Sequence, residues 1–352
     1  GIYSLSVEAT EALENGRRDV KRFINALSSD EIIFTRNTTE SLNLIAYSYG
    51  LTHVNEGDEV LVSITEHHSD LLPWQMVCRE KKAVLNFIDC EQDGTIDLDK
   101  VESLITDKTK IVAIAQVSNI LGRVNPIKEI AALAHKKGAV IVGDGAQSTP
   151  HIPVNVQDMD ADFFAFSGHK LYGPMGIGVL YGKRDLLDDM PPFLSGGEMI
   201  ETVSRTSAVY AELPHKFEAG TVNAAGAAGL GAAIKYVESV GFDKLELEAS
   251  SYAFERMQKM PHVHIIGSDK AEEHNGIITF TIDDVHPHDV SEIFASDNIA
   301  IRAGHHCAQP LLEHLGYRAT VRASFAFYNT VDDAKKFIES LETIRERMGY
   351  GK

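Results

Sequence analysis

The stretch from Asp160 to Gly182, DADFFAFSGHKLYGPMGIGVLYG, decides the fold. Phe163, Phe164, Ala165 and Phe166 form a short continuous apolar run, which predicts a strand buried on both faces. Lys170 then emerges at the carboxyl end of that strand, ahead of a loop with glycine at 173, 176 and 178. A strongly hydrated cation between a buried strand and a glycine-rich loop asks for a ligand, and GVLYG (178–182) predicts a further strand.

Working outward, β-type apolar runs recur at 31–34, 59–65, 83–88, 111–117 and 139–142, with helix-period segments between several of them. One such segment carries start and stop signals: Asn125 as N-cap, Pro126 at the first helical position, Ile127, Ile130, Leu133 and Ala134 on one face, and Gly138 at the end. The alternation predicts an α/β layer with a mostly parallel central sheet. From about Gly226 the texture changes to two helical stretches (226–241 and 243–260). An α+β segment follows, with strands near 277–282, 300–302 and 322–326 and a last amphipathic helix from Val331. The expected division is a large domain over 1–258 and a smaller one over 259–352.

With 352 residues, 44% hydrophobic and 24% charged, the composition is that of a globular protein with a sizeable core. A formal charge of −18 opposes non-specific binding to nucleic acid or an anionic membrane, leaving a small molecule or a protein as the expected partner. No apolar run has the roughly 18 residues needed to span a bilayer, and the first residues lack the pattern of a secretion signal, so a cytoplasmic location is expected. Three widely spaced cysteines, Cys78, Cys90 and Cys307, do not make a disulfide framework.

In an open α/β sheet, ligands bind beyond the carboxyl ends of the strands. There the sequence offers Asp144 and Gln147, Ser118 and Asn119, His67 and His68, and Ser167, His169 and Lys170. Thr38 and Thr39 open a helix after a short strand, where free backbone N–H groups favour a phosphate. Pyridoxal 5'-phosphate needs a lysine for the Schiff base, a carboxylate against its pyridinium nitrogen and a phosphate cradle. Lys170, Asp144 and the Thr38/Thr39 turn meet those needs, with His67 placed to stack on the ring and Gln147 to reach its hydroxyl. Singly, each has a plainer reading. A lysine after a strand is commonly a solvated loop residue, an aspartate there a turn or cap, and Thr-Thr-Glu a capping box. Their ordered coincidence at strand ends favours the cofactor.

IRAGHHCAQP (301–310) is a second constellation. A structural zinc site would need four ligands, and the chain has no CxxC pair, so no metal is expected. Cys307 in a polar, cationic loop reads as a reactive thiol rather than an inert one, whereas Cys78 and Cys90 read as packing residues. Arg322 suits bidentate capture of a carboxylate; a structural ion pair is the alternative.

VSNILG (117–122), DGAQ (144–147), FSGHKLYGPMGIGVLYG (166–182), FEAGT (217–221), RAGHHCAQP (302–310) and VRASFAFYNT (321–330) together resemble the motifs of class-V aminotransferase-fold enzymes. They most closely resemble group II, SUF-type cysteine desulfurases and their selenocysteine lyase relatives. The resemblance runs over essentially the whole chain. It implies a PLP-dependent transferase of fold type I, a homodimer that converts L-cysteine to L-alanine and leaves a persulfide on Cys307 for iron–sulfur cluster assembly. Selenocysteine lyase is the alternative. By resemblance, Lys170 holds the aldimine, Asp144 the ring nitrogen, Gln147 the ring hydroxyl, and His67 stacks on the ring. Thr39, Ser167 and His169 take the phosphate beside Thr38, helped by Thr221 across the dimer. Asn119 and Arg322, with Arg302, hold the substrate, and Cys307 attacks its sulfur. A SUF-system sulfur acceptor is the implied protein partner. Family members usually begin with a further N-terminal arm, which is expected to be absent from this chain.

Overall fold

Residues 3–242 and 247–351 are described by a computed structural model. Seven strands form the main sheet: β1 (Ile32–Thr35), β2 (Glu59–Ser63), β3 (Val84–Ile88), β4 (Thr109–Ala115), β5 (Val140–Asp144), β6 (Phe163–Ser167) and β7 (Gly178–Gly182). Their order is β1-β7-β6-β5-β4-β2-β3. Pairing is parallel from β6 through β5, β4 and β2 to β3, and antiparallel where β7 joins β6 and β1. β4 to β7 are buried along nearly their whole length, as expected of strands covered by helices on both faces. One face packs on Ile130 and Ala134 of helix Ile127–Lys136 and on Leu230 and Ile234 of helix Ala224–Val240. The other packs on Leu42, Ile45, Trp74 and Val77.

Several features depart from the sequence-based expectations. Asn125 does not cap the helix after it. Its buried Nδ2 donates to the carbonyl of Ala115 (2.8 Å) and to Thr65 Oγ1 (3.1 Å), closing the end of β4, and the helix begins at Ile127. A long helix, Ser4–Phe23, precedes β1, with Gly16 against the backbone of Ala227; a Cβ there would lie 2.4 Å from the Ala227 carbonyl oxygen. A two-stranded hairpin, β8 (Ile200–Val203) and β9 (Ala208–Tyr210), stands mostly exposed.

A second sheet, β10 (Val263–Ile265), β11 (Ile277–Ile282), β12 (Arg302–Gly304) and β13 (Thr320–Ser324), has the antiparallel order β10-β11-β13-β12. Its core joins Phe280, Val321 and Phe294 to Phe337, Ile338, Leu341 and Ile344 of the last helix. Ala249, Ala253, Phe254 and Met257 of helix Leu247–Met257 share this core, so the apolar clustering reaches back before residue 258. Residues 243–246 of the helix expected over 243–260 lie outside the described residues.

The first helix is tied to the main sheet by a buried ion pair. Arg17 donates to Glu218 (2.7 and 2.9 Å) and to the carbonyl of Ile32 (2.7 Å), while Glu218 also accepts the amide of Phe34 (2.7 Å). Arg17 is fully buried, so Glu218 neutralises a charge that has no other route to water, with Glu14 helping. Among the described residues no helix is long and apolar enough to cross a membrane.

Candidate active site

Asp144 is the last residue of β5, level with Ala115 of β4 and Ala165 of β6. One oxygen accepts the amide of Ala146 (2.8 Å). Burial raises its pKa, against the pull of Lys170 and of that amide, so the carboxylate calls for a cationic partner. Lys170 follows β6 in a turn in which its amide donates to the Ser167 carbonyl (3.3 Å). Burial lowers the pKa of its ammonium, with Arg322 and Arg302 adding to the effect and Asp144 and Cys307 opposing it. A lysine in such surroundings yields the neutral, nucleophilic amine more readily than a solvated one.

His67 lies beside the same charges. Burial first, then Lys170, His68, Arg302 and Arg322, push its pKa down to about 4, so the imidazole is neutral at physiological pH. The amide of Ser69 donates to Nδ1 (3.1 Å), which places the ring proton on Nε2. Burial followed by Lys170 lowers the pKa of His169 as well, although this side chain is exposed.

A group of hydroxyls and an amide gathers at the end of β6. The Thr38 amide and Oγ1 lie 2.8 and 2.6 Å from Ser167 Oγ, and Thr39 Oγ1 lies 2.8 Å from Ser69 Oγ. Asn37 caps the helix Thr38–Leu44 by accepting the Glu40 amide (3.0 Å). The tight junction here depends on Gly178, where a Cβ would meet the backbone of Asn37 at 2.5 Å. Gln147 is half-buried, three residues past Asp144. Thr221 is not part of this group within the chain: it is exposed, on a cleft with Arg36, Gly176 and Asn223.

The second sheet supplies the opposite wall. Arg302 Nη2 lies 3.2 Å from Cys307 Sγ, so its nearest partner is the thiol. His306 and Cys307 both hold left-handed backbone (φ 53° and 59°), a strained pair for residues with side chains. Contacts from both sheets fix that turn. The His68 amide donates to the Cys307 carbonyl (2.7 Å), the Gln309 amide donates to His68 Nε2 (3.2 Å), and Asn119 Nδ2 donates to the His306 carbonyl (2.8 Å). His306 Nε2 lies 2.9 Å from Thr320 Oγ1. Arg322 Nη1 donates to the Asn119 carbonyl (2.8 Å), while the buried Arg322 Nε and Asn119 Oδ1 have no partner. Burial, then Arg302, lowers the Arg322 pKa to about 10. An unsatisfied buried guanidinium N–H fits a carboxylate ligand. Cys78 and Cys90 are buried, and burial pushes each thiol up to about 11, so Cys307 is the accessible one.

The chemistry of this set fits pyridoxal phosphate: a lysine whose pKa burial lowers, a carboxylate whose pKa burial raises, a neutral histidine, and hydroxyls with an amide at a helix start. A family model described as aminotransferase class-V matches residues 1–337. The chain belongs to the class-V aminotransferase family. A relative from Staphylococcus epidermidis, described as a probable cysteine desulfurase, is 50% identical across 99% of this class-V chain and 85% of its own length. A relative of the same description from Halalkalibacterium halodurans is 48% identical, over 99% and 86%. Among solved structures, the apo cysteine desulfurase of Thermococcus onnurineus is similar at a TM-score of 0.94 and 40% identity, over 99% of this chain and 87% of that one. The Escherichia coli cysteine desulfurase in its S-sulfonic acid form is similar at 0.90 and 37%, again over 99% and 87%.

Sequence reasoning did not single out Glu66, Ser69, Asp70 or Glu218. Glu66 and Asp70 frame the histidines just past β2, and the strand-end argument that selected Asp144 applies equally to them.

Proposed function

We infer that the chain is a PLP-dependent cysteine desulfurase that turns L-cysteine into L-alanine and leaves a persulfide on Cys307. The observation that carries this reading is a single accessible thiol, held by Arg302 and facing Lys170 across the site. A transaminase has no use for that thiol.

Lys170 would carry the cofactor, Asp144 would hold its ring nitrogen, Gln147 its ring hydroxyl, and His67 would lie against the ring without adding charge. Thr38, Thr39, Ser167 and His169 would hold its phosphate. When bound, the cofactor supplies an electron sink that lowers the cost of removing a proton from the substrate α-carbon. Arg322 and Asn119 bind the substrate carboxylate through the donor left free on Arg322 and the Asn119 side chain. Lys170, freed as substrate binds, takes the α-proton and later returns a proton to carbon. The Cys307 thiolate attacks the substrate sulfur. An S–S bond forms as the C–S bond breaks, the electron pair passes to the β-carbon, and protonation there yields alanine. Arg302 holds the thiolate at the distance seen, and the doubly left-handed turn aims it.

Thr221 has no role in its own chain's site and is assigned to the site of a second copy, which makes the working unit a homodimer. The bound turn at Cys307 cannot swing its sulfur outward, so a sulfur-acceptor protein of SUF type would come to it, in the cytoplasm, to serve iron–sulfur cluster assembly. No feature of the site favours selenocysteine lyase over this reading.

The test is alanine release from L-cysteine by the holoenzyme with a reductant present. Wild type forms alanine, C307A and K170A lose it, and a cognate acceptor accelerates wild type. Full alanine release by C307A would overturn the reading.

A further inference from the structure

Two buried carboxyl groups lie beneath the site without a role in the reaction. Glu66 follows β2, and Asp70 ends the single turn His68–Asp70. Glu66 is 2% exposed and Asp70 fully buried. Each has one oxygen satisfied: the Ala115 amide donates to Glu66 Oε1 (2.8 Å), and Trp74 Nε1–H donates to Asp70 Oδ1 (2.9 Å). The other oxygens, Glu66 Oε2 and Asp70 Oδ2, are buried and accept from no donor. The two side chains lie within hydrogen-bonding reach of each other.

Two buried carboxylates within reach of each other would repel if both were ionised, whereas a single proton shared between them gives their orphaned oxygens a partner. We propose that Glu66 and Asp70 share one proton, Glu66 as the neutral acid donating to Asp70, and that this hydrogen bond clamps the His67 loop onto the strand pair carrying Asp144. The proposal rests on the cofactor reading of that site.

The geometry gives the clamp its purpose. His67 lies between the two acids in the chain. Glu66 holds the amide of Ala115, which is level with Asp144 in the β4–β5 ladder, while Asp70 holds the indole of Trp74 in the helix behind. The charged neighbours are consistent with one proton: Asp144 adds a repelling charge at both acids, and the main influences on each include no cation. With all three acids ionised, Lys170 is the cation that acts on Asp144. With Glu66 neutral, every polar atom of the pair has a partner. Both acids are positioning residues, since neither touches the reacting atoms.

The clamp is read without turnover, by infrared difference spectroscopy at neutral pH on holoenzyme and cofactor-free protein. The wild type should show the carbonyl stretch of one buried, protonated carboxylic acid in both forms. E66Q should remove the band, because Gln has no acid proton yet offers the same hydrogen to Asp70. D70N should also remove it, because its amide now donates to Glu66, which then ionises. E66Q should keep cofactor affinity within about twofold of wild type, whereas E66A, which leaves Asp70 unpaired, should lose about tenfold or more. No acid band in wild type, a band surviving in E66Q or D70N, or E66Q losing cofactor as E66A does would each overturn the proposal. If E66A fails to fold, the band and E66Q still decide it. A protein that binds no pyridoxal phosphate but shows the band would sink the cofactor reading and leave the shared proton standing.

Discussion

At Cys307 the decisive contact is Arg302 Nη2, 3.2 Å from sulfur. A guanidinium at that distance holds the sulfur in the site, so R302A should change the rate at which iodoacetamide alkylates Cys307 at pH 7 severalfold, while Cys78 and Cys90 stay unreactive in folded protein. An unchanged rate would remove Arg302 from that role. His306 makes a second prediction. Burial, then Arg322 and Arg302, push its pKa down to about 4, and burial, then Lys170, does the same for His67. Between about 4 and the ordinary value of 6.5 the unfolded chain binds more protons than the folded one, so stability rises with pH across that window. In cofactor-free protein each histidine should therefore take stability away as pH falls from 6.5 toward 4, by roughly 3 kcal/mol at most. A Glu66 protonated only in the folded chain acts in the opposite sense, so the histidine share is read as the difference between wild type and H306N. Urea midpoints across that range check this, and H306N should flatten part of the slope. The placement of Asp144 at the end of β5 and of Lys170 just past β6 was legible in the sequence, because buried apolar strands mark where the chain leaves the sheet. Glu66 and Asp70 were within reach of the same strand-end argument, but their burial was not, and only the fold shows it.

Among the elements, the junction of β1, β7 and the helix Thr38–Leu44 carries the hydroxyls and amide near Ser167. G178A would drive a methyl into the Asn37 backbone and shift Thr38 from Ser167. It should cut cofactor affinity by about tenfold or more while leaving the second sheet folded, as cofactor titration and circular dichroism would show. Glu218 joins the first helix to β1, and E218A should cost about 3 kcal/mol by stranding Arg17, measured by denaturant unfolding. The parallel strands were readable as apolar runs because both faces are covered. The β8–β9 hairpin was not, since its exposed strands bury no face and so carry no alternation. Strand β12 begins at Arg302, later than expected, because the apolar Ala300 and Ile301 precede the ladder instead of pairing in it. Asn125 looked like a helix cap, and its side chain was taken instead by the open carbonyl of Ala115.

For the whole molecule, the proposed site draws its sulfur chemistry from Cys307 beside the second sheet and its cofactor chemistry from the ends of the first. The strand order could not be read from the sequence, because parallel pairing joins residues far apart in the chain. Thr221 sits on a separate cleft, so its assigned role requires a second subunit. Sedimentation should give about twice the chain mass of 38.6 kDa, and T221A should weaken cofactor binding although Thr221 lines a cleft that Lys170 does not. A monomer with full cofactor affinity would contradict that assignment. The central claim, that sulfur passes from substrate to Cys307, is tested most directly by intact-mass and peptide mass spectrometry after holoenzyme meets one equivalent of L-cysteine without reductant. The account predicts one added sulfur atom on Cys307, an equal amount of alanine, and removal of the added sulfur by dithiothreitol. Alanine without an adduct on Cys307, or an adduct on Cys78 or Cys90 instead, would contradict it.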